Sequence, residues 1–452
     1  MNTSVLGLGK VGVTLSACLA SAGNKVIGVD ISADLVHRIR DGSYHSSESG
    51  VMERLSGCAP GQFSATLDSV RAIHESDVTF VIVPTPSNAR GGFSLKYVLR
   101  ACHEIGRALQ SKTGEHTVAI MSTMLPGSSD CRVMACLEEA SGRQIGKGLG
   151  YCYNPSFIAL GEVVQGLERP DYLLIGEANR DSGDIVLETH RTMMRNSAPI
   201  VRVTPVEAEI TKIASNAHET MRVSFANMLL SVCSEVPGAN VDRITQALAH
   251  RMGRRFFKGA APYGGPCWPR DNVALSVFME AIGVPGGLPR AVDSFNEQHA
   301  RYLLGKVLSL TSAGDQVGIL GMAYKVGTPS IERSFALDLA GWLLDEGRSI
   351  TAWDPLATPE VCARMGDRIA YAASIDDCLK QSTAVVIVNP LPELNVADWS
   401  LAGGAVIDCW RCLPPGAVSR IACYIPLGTG PDEDVAARLR QIMGGEFDLL
   451  TS

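Results

Sequence analysis

The chain lacks the features that define several classes of protein. No apolar run reaches the ~18 residues that a membrane-spanning helix needs, so we expect no membrane span. The formal net charge of −7 leaves no basic excess, which disfavours nucleic acid as a partner. The N-terminus has no basic segment followed by a cleavage site, so we expect no signal peptide and a cytoplasmic location.

The thirteen cysteines show no framework of paired spacings. Their number is odd and no secretion signal precedes them, so we predict that they are reduced thiols. Cys409 and Cys412 form a lone Cys-x-x-Cys pair, without a second pair or histidines beside it. Because a structural zinc site usually needs four such ligands, we predict no metal site.

The first thirty residues contain the clearest motif. A buried-strand pattern ends at Leu6, the sequence Gly-Leu-Gly-Lys-Val-Gly follows at 7–12 and opens a predicted helix, and a second strand ends in Asp30. Glycines at such a turn let a pyrophosphate approach the backbone, and the acid binds ribose hydroxyls. The pattern predicts a Rossmann-like domain, and Asp30 favours NAD over NADP because it repels a 2′-phosphate.

Two further apolar strands are followed by threonines. Thr85 comes shortly after the strand at 78–83, and Thr123 after the strand at 118–121. Ligands lie beyond the carboxyl ends of parallel strands, so we expect both hydroxyls near the cofactor and the reacting carbon. The alternative is that they only form turns. More strands, at 151–153, 172–175 and 199–201, complete a predicted NAD-binding domain over residues 1–203.

The middle of the chain is helical and apolar. Thr204 and Glu207 form a capping box, which predicts the start of a long helix. Lys212 and Asn216 are four residues apart and therefore share one face of it. The pair can bind an oxyanion or sugar hydroxyls, and the alternative is a solvated helix face. We predict that 204–300 is a central helical domain and an oligomer interface.

A second alternation of strands and helices begins near Gly314. Strands are predicted at 317–320, 349–353, 385–388 and 405–408, with a helix at 334–346. The first turn lacks a complete Gly-x-Gly-x-x-Gly, which suits a nucleotide better than a dinucleotide. The fold class is therefore predicted as α/β, with two Rossmann-like doubly wound domains joined by a long central helix and a small helical domain. The second of these domains is predicted to span 301–452.

The stretch Tyr-Gly-Gly-Pro-Cys-Trp-Pro-Arg-Asp at 263–271 places Cys267 between a glycine pair and a charged tail. The glycines allow a substrate to approach closely, and the prolines stiffen the presentation of the sulfur. Arg270 favours the thiolate, and Asp271 can act as a base or orient water. The alternative is a tight turn around a buried cysteine.

Six motifs, in this order along the chain, together resemble the UDP-glucose/GDP-mannose dehydrogenase family. They are Gly7 to Gly12 with Asp30, Ser122 to Gly127, Lys212 to Ala217, Arg251 to Gly253, Gly264 to Asp271, and Leu320 to Lys325. The resemblance covers the chain from end to end, and it implies NAD as the cofactor and a nucleotide sugar as the substrate.

The resemblance also implies a reaction and the residues that carry it. The C6 alcohol of the sugar becomes a carboxylate, and Cys267 holds the intermediate aldehyde as a thiohemiacetal and then a thioester. The implied catalytic residues are Thr123, Lys212, Asn216, Cys267 and Asp271. The implied cofactor-binding residues are Gly7, Gly9, Val11, Gly12, Asp30, Thr85, Thr123 and Arg270. The implied substrate-binding residues are Phe157, Ile158, Lys212, Asn216, Arg251, Phe256, Phe257, Lys258, Gly264 and Lys325.

Several positions depart from the family pattern or bear on the assembly. Ser156 and Leu160 stand where the family usually has glutamates, which leaves the hydrolysis of the thioester to Asp271. Glu332 stands where an arginine is usual. The family's counterpart of Arg251 reaches the substrate across a dimer interface, so we expect a homodimer.

UDP-glucose is the predicted substrate. GDP-mannose and a UDP-N-acetylhexosamine are the alternatives within the same chemistry. Two other functions stay open, which are a dehydrogenase that stops at the aldehyde and a sugar-nucleotide-binding protein without turnover. Cys267 argues against the second, since a binding protein has no need of a thiol.

Overall fold

The computed structural model of the protein describes residues 1–253, 256–431 and 433. The chain forms two compact units. Unit 1 consists of Met1–Ser215 and Val273–Gly286, and unit 2 consists of Asn216–Asn272 and Gly287–Ser452. The three segments predicted from the sequence, 1–203, 204–300 and 301–452, stay a prediction.

Unit 1 is built on one large sheet. Its strands are β1 (Asn2–Leu6), β2 (Lys25–Val29), β3 (Phe63–Thr66), β4 (Val78–Val81), β5 (His116–Ile120), β6 (Gln144–Ile145), β7 (Gly148–Tyr153), β8 (Leu173–Glu177) and β9 (Ile200–Val203). The strand order is β3-β2-β1-β4-β5-β7-β8-β9, and β6 pairs with β7. Pairing is parallel except between β7 and β8. This order, with β1 inside the sheet, is that of a doubly wound fold and confirms the predicted class.

Helices cover both faces of this sheet. They are α1 (Lys10–Ser21), α2 (Ala33–Arg40), α3 (Val51–Ser56), α4 (Ser69–His74), α5 (Lys96–Leu109), α6 (Met134–Ser141), α7 (Val163–Glu168) and α8 (Arg180–Met193). Successive strand residues enter different hydrophobic clusters, with Val5 and Phe80 in one, and Leu6 and Val81 in the other. Strands buried on both faces explain why these segments are continuously apolar in the sequence.

The described residues in the middle of the chain form four helices. They are α9 (Pro205–Glu235), α10 (Val241–Met252), α11 (Trp268–Ala281) and α12 (Gly287–Leu308). The predicted capping box is confirmed, because the Thr204 backbone N–H donates to the Glu207 carboxylate at 2.8 Å and the Glu207 N–H donates back to the Thr204 hydroxyl at 3.4 Å. The long helix therefore begins where local side-chain chemistry predicts.

Unit 2 contains the second sheet. Its strands are β10 (Gln316–Leu320), β11 (Ser349–Trp353), β12 (Ala370–Tyr371), β13 (Ala384–Ile387), β14 (Ala405–Asp408) and β15 (Cys423–Pro426), in the order β12-β11-β10-β13-β14-β15. The helices of this part are α13 (Phe335–Asp345), α14 (Thr358–Met365), α15 (Ile375–Gln381) and α16 (Pro415–Val418). All pairs are parallel, which confirms the second doubly wound sheet.

The core of unit 2 joins the sheet to the central helices. One hydrophobic cluster contains Leu230 of α9, Leu303 of α12, Ile319 of β10 and Leu339 of α13. Burial of such side chains is the main stabilising term for a packing of this kind. In the part of the chain that the structure describes, no helix combines the length and apolar character needed to cross a membrane.

Candidate functional site

The glycine turn after β1 combines close packing with one open side. A Cβ on Gly7 would lie 2.1 Å from the Ile82 carbonyl oxygen, and one on Gly12 would lie 1.8 Å from the Gly7 oxygen. A Cβ on Gly9 would meet no atom within 4 Å, although Gly9 directly precedes α1. Packing therefore accounts for Gly7 and Gly12, whereas Gly9 leaves room at a helix N-terminus. Such a cradle fits the pyrophosphate of a dinucleotide.

Asp30 ties this turn to the end of β2. One carboxylate oxygen accepts the Leu8 backbone N–H at 2.7 Å, and the other accepts the Ser32 N–H at 2.9 Å. Asp30 is only partly buried, and a carboxylate has about four acceptor positions, so acceptor capacity remains for ribose hydroxyls. The geometry fits the predicted cofactor role of Asp30, and Val11 lies in the first turn of α1.

The acid at the matching position of the second sheet, Asp354, differs from Asp30 in its hydrogen bonds. Asp354 follows β11 as Asp30 follows β2, but it is only 5% exposed. One oxygen of its carboxylate accepts the backbone N–H groups of Met322 at 2.8 Å and Ala323 at 3.0 Å. The other oxygen accepts those of Leu356 at 2.9 Å and Ala357 at 2.7 Å. The acceptor positions of Asp354 are used within the protein, so this carboxylate has little capacity left for ribose hydroxyls. The binding of ribose by Asp30 stays a prediction.

Thr85 and Thr123 lie side by side beyond the ends of β4 and β5. The Thr85 hydroxyl donates to the Thr123 backbone carbonyl at 2.8 Å, and Thr85 is buried. Strands β1, β4 and β5 end in register, so these loops share one edge of the sheet with the glycine turn. The structure thus brings the two threonines together at the expected edge, and their roles in binding and catalysis stay predictions.

Glu209 supports the loop that contains Thr123, and sequence reasoning missed it. Its carboxylate accepts the Gly127 N–H at 2.6 Å, the Ser129 N–H at 2.9 Å and the Ser129 hydroxyl at 2.7 Å. Glu209 is fully buried, and burial raises its pKa above the usual range for a glutamate. An acid on the apolar face of α9, three residues before Lys212, was the only signal in the sequence.

Lys212 lies against the segment after β7. Its Nζ donates to the Ser156 backbone carbonyl at 2.8 Å and lies 4.9 Å from the centre of the Phe157 ring. The interaction uses the backbone of Ser156, so it does not depend on the side chain at that position. Lys212 and Phe157 are thus together in unit 1, while Ile158 packs against a hydrophobic cluster of the same unit.

The same segment shows how the second departure from the family pattern is accommodated. Leu160 packs against the hydrophobic cluster that Ile158 also contacts. The neighbouring Gly161 N–H donates to the buried carboxylate of Glu48 at 2.6 Å. Packing and one hydrogen bond from another loop therefore hold the segment in the absence of an acid at 160.

Cys267 lies at the surface of the protein, immediately before α11. None of the thirteen cysteines in the described part of the chain forms a disulfide, and Cys267 is one of three that are exposed. Its backbone carbonyl accepts the Asp271 N–H at 2.8 Å. The alternative of a buried cysteine in a tight turn is therefore wrong, and the position at a helix N-terminus favours a thiolate.

Asp271 is fully buried one turn into α11, and both of its oxygens are paired. The Asn216 side-chain amide donates to Oδ2 at 2.6 Å, and the Arg270 guanidinium donates to Oδ1 through Nε and Nη2, each at 3.2 Å. Three residues predicted for the site are thus in direct contact. The structure pairs the Arg270 guanidinium with Asp271. Arg270 therefore helps to hold this carboxylate, in addition to its predicted effect on the thiol.

Protein packing alone explains the glycine pair before Cys267, and the predicted close approach of a substrate to it stays a prediction. A Cβ on Gly264 would lie 2.0 Å from the Arg333 backbone oxygen, and one on Gly265 would lie 2.6 Å from the Tyr324 ring. Gly265 has φ +88°, and its N–H donates to the Glu332 carbonyl at 3.0 Å. Only glycine fits at both positions. A substrate contact of the Gly264 backbone stays a prediction.

The other predicted substrate residues of unit 2 lie in different surroundings. The Phe256 ring packs edge-on against Trp268 with centroids 5.2 Å apart, next to Cys267 in the sequence. Phe257 is buried and stacks on Phe225 of α9 at 5.9 Å, which indicates a packing role. Three further predicted substrate residues have exposed or partly exposed side chains: Arg251, Lys258 and Lys325. Their contacts with a substrate stay predictions.

Comparison with known proteins gives a consistent family for this site and fold. The models of the UDP-glucose/GDP-mannose dehydrogenase family match in three parts, which are the NAD binding domain at 1–194, the central domain at 206–298 and the UDP binding domain at 318–415. The first match confirms NAD as the cofactor. The third match supports a nucleotide-sugar substrate.

Individual relatives agree with the family models. The chain is 32% identical over 403 residues to a UDP-glucose 6-dehydrogenase of Haloferax volcanii, covering 88% of this chain and 93% of that protein. It is 32% identical over 360 residues to a GDP-mannose 6-dehydrogenase of Pseudomonas aeruginosa, covering 78% and 81%. A solved UDP-glucose dehydrogenase of Pyrobaculum islandicum superposes with a TM-score of 0.85 at 29% identity, covering 94% of this chain and 97% of that one. The protein therefore belongs to the UDP-glucose/GDP-mannose dehydrogenase family, as a nucleotide-sugar 6-dehydrogenase.

Proposed function

We propose that this protein oxidises the C6 alcohol of UDP-glucose to the uronate through a covalent intermediate on Cys267. The observation that carries the proposal is the arrangement at the start of α11. There an exposed thiol lies one helical turn from a buried carboxylate that Asn216 and Arg270 hold in place. A nucleophile and a proton acceptor one turn apart, with a donor amide from α9 bonded to the acceptor, are the groups that aldehyde trapping needs.

The first oxidation uses groups that act on the C6 hydroxyl. NAD⁺, when bound, accepts the hydride that leaves C6 in each of the two oxidations. Asp271 accepts the hydroxyl proton through a water, and Thr123 is the second group that we assign to orienting this water. Lys212 and Asn216 stabilise the negative charge that develops on the oxygen, which is the usual role of fixed donors in such a step.

The second oxidation depends on the thiol. The Cys267 sulfur adds to the aldehyde carbon, and the resulting thiohemiacetal again bears a hydrogen on C6. Its oxidation gives a thioester, and water then releases the carboxylate and restores the thiol. The balance is one alcohol, one water and two NAD⁺ consumed, and one carboxylate, two NADH and three protons formed. Covalent trapping also keeps the aldehyde bound between the two steps.

Hydrolysis of the thioester lacks the acids usual at positions 156 and 160. Ser156 offers its backbone carbonyl to Lys212, and Leu160 packs against a hydrophobic cluster, so neither side chain supplies a carboxylate. We assign the activation of the hydrolytic water to Asp271. Its pairing with both Asn216 and Arg270 fixes the direction in which its remaining lone pairs point.

UDP-glucose is preferred because the relative from Haloferax volcanii, by its name a UDP-glucose 6-dehydrogenase, aligns over more of both chains than the GDP-mannose relatives do. GDP-mannose remains the second candidate, since the relative from Pseudomonas aeruginosa, by its name a GDP-mannose 6-dehydrogenase, is also 32% identical over the aligned part.

We also propose a homodimer formed through α9. Five large apolar residues of this helix are exposed. One is Ile210 (48%) near its start, and the other four are Met221 (37%), Phe225 (41%), Met228 (38%) and Val232 (53%). Their spacings of four, three and four residues place them on one face of the helix. A row of this kind on a surface marks an interaction site, and a second copy of the same helix is the occupant that we propose.

The substrate assignment is tested by the yield of NADH per sugar nucleotide consumed. UDP-glucose, GDP-mannose and UDP-N-acetylglucosamine are offered separately. Two NADH per UDP-glucose, with little turnover of the others, is the expected result. One NADH would show a dehydrogenase that stops at the aldehyde, and two NADH only with GDP-mannose would overturn the choice of UDP-glucose.

A further inference from the structure

Both flanks of the segment that bears Cys267 are held by a single carboxylate oxygen of α12. The Tyr263 hydroxyl donates to Oδ1 of Asp293 at 2.5 Å, and the Asn272 side-chain amide donates to the same atom at 2.7 Å. Tyr263 precedes the cysteine by four residues. Asn272 follows it by five and is adjacent to Asp271. The two ends of the reactive segment are thus joined through one atom outside it.

Additional hydrogen bonds fix each flank. The Asn296 side chain accepts the Tyr263 backbone N–H at 3.0 Å and donates to the Tyr263 carbonyl at 2.9 Å. The Asn272 amide also lies 3.1 Å from the Thr220 hydroxyl of α9. Tyr263 is 8% exposed, and Thr220 and Asn272 are fully buried. Groups connected in this way restrain one another more than isolated pairs do.

The acidity of Asp293 reflects the same surroundings. Burial raises the pKa of this carboxyl, while the hydrogen bonds from Tyr263 and Asn272 act in the opposite direction. Burial and the nearby carboxylate also raise the pKa of the Tyr263 hydroxyl, so this hydroxyl stays protonated and acts as the donor.

We propose that Asp293 is a positioning residue that sets the places of the Cys267 sulfur and the Asp271 carboxylate. The inference rests on the proposed function, because it assumes that both groups react. If the Tyr263 flank moves, the sulfur moves with it; if Asn272 moves, the first turn of α11 and its Asp271 move too. One shared acceptor therefore keeps the nucleophile and the proton acceptor at a constant separation. A displacement of the order of 1 Å is enough to cost about 100-fold in rate.

Two substitutions separate geometry from charge. Asp293→Ala removes the shared acceptor, whereas Asp293→Asn keeps an oxygen that can accept from both donors. With UDP-glucose and NAD⁺, we expect kcat of Asp293→Ala to fall between about 10- and 100-fold, with KM within about threefold of the parent. The Asn variant should retain most of the parental kcat. Glu297→Gln, an exposed carboxylate one turn along the same helix, is the matched control and should leave both constants unchanged.

A second measurement needs no substrate, so it separates this proposal from the proposed function. Hydrogen exchange of the peptides covering 263–272 should be faster in Asp293→Ala and in Tyr263→Phe, and unchanged in Glu297→Gln. A parental kcat in the alanine variant, an equal loss in the alanine and asparagine variants, or unchanged exchange over 263–272 would overturn the positioning role. If the parent turns over no sugar nucleotide while exchange responds as expected, the proposed function fails and the restraint on the segment stands.

Discussion

The side-chain amide of Asn216 on α9 donates a 2.6 Å hydrogen bond to the buried carboxylate of Asp271 on α11. Asn216 was predicted as a donor to the oxyanion, and Asp271 as the base. The contact shows that the two side chains are also direct partners. The orientation of the carboxylate therefore depends on α9 as well as on its own helix.

Replacing Asn216 by alanine should remove this support. We expect the free energy of unfolding to fall by about 1–3 kcal/mol, because a buried carboxylate loses one of its donors, and kcat to fall more than KM rises. Urea unfolding and steady-state kinetics measure the two effects. His218→Ala, an exposed position on the same helix, is the control, and equal effects of both variants would contradict the role given to the contact.

The glycine turn offers a matched pair of substitutions. Gly9→Ala should leave the melting temperature nearly unchanged, since its Cβ meets no atom within 4 Å, but should weaken NAD⁺ binding measured by calorimetry. Gly12→Ala should unfold the domain at lower temperature, since its Cβ would lie 1.8 Å from the Gly7 oxygen. Unchanged NAD⁺ affinity in Gly9→Ala would show that the pyrophosphate does not use this opening.

Much of the fold follows from local patterns, whereas the partners that support the site do not. The capping box at Thr204 and Glu207 and the turn at Gly9 are readable because all their parts are close in sequence. The edge strand β3 was missed because only two of its four residues are buried and it lacks a long apolar run. Glu209 was missed because its hydrogen-bond partners lie 80 and 82 residues away in the sequence. Asp293 was missed for the same reason, since its partners lie 21 and 30 residues away. Folding brings such groups together, and no spacing in the sequence indicates it.

Stability should decline as the pH falls below neutrality, because of buried histidines. His190 is buried and bonded to Asn154, and burial lowers its pKa from 6.5 to about 4. The folded state therefore keeps it neutral while the unfolded chain takes up a proton. Its contribution is present above pH 6.5 and is lost between that value and about 4. The loss corresponds to about 3 kcal/mol.

The test compares urea unfolding of the parent and two variants at several pH values. His190→Gln should flatten the decline between pH 6.5 and 4. His218→Gln, at an exposed position, should follow the parental curve. A His190→Gln curve with the parental slope would assign the pH dependence to other groups.

The dimer proposal predicts that a charge on the exposed face of α9 separates the subunits. Val232→Glu, at a position that is 53% exposed, should lower the mass measured by light scattering from that of a dimer to that of a monomer. The control is Val396→Glu, whose position is 86% exposed in the second α/β part of the chain. A parent that is already monomeric, or a dimer in both variants, would contradict the assignment of this face.

The central claim is that Cys267 carries the sugar between the two oxidations. The most direct test measures the uronate and NADH formed from UDP-glucose by the parent and by Cys267→Ser. We expect two NADH per uronate in the parent. In the serine variant, uronate formation should fall by several orders of magnitude, because a hydroxyl is a far weaker nucleophile than a thiolate. Formation of uronate by Cys267→Ser at the parental rate would contradict the covalent mechanism.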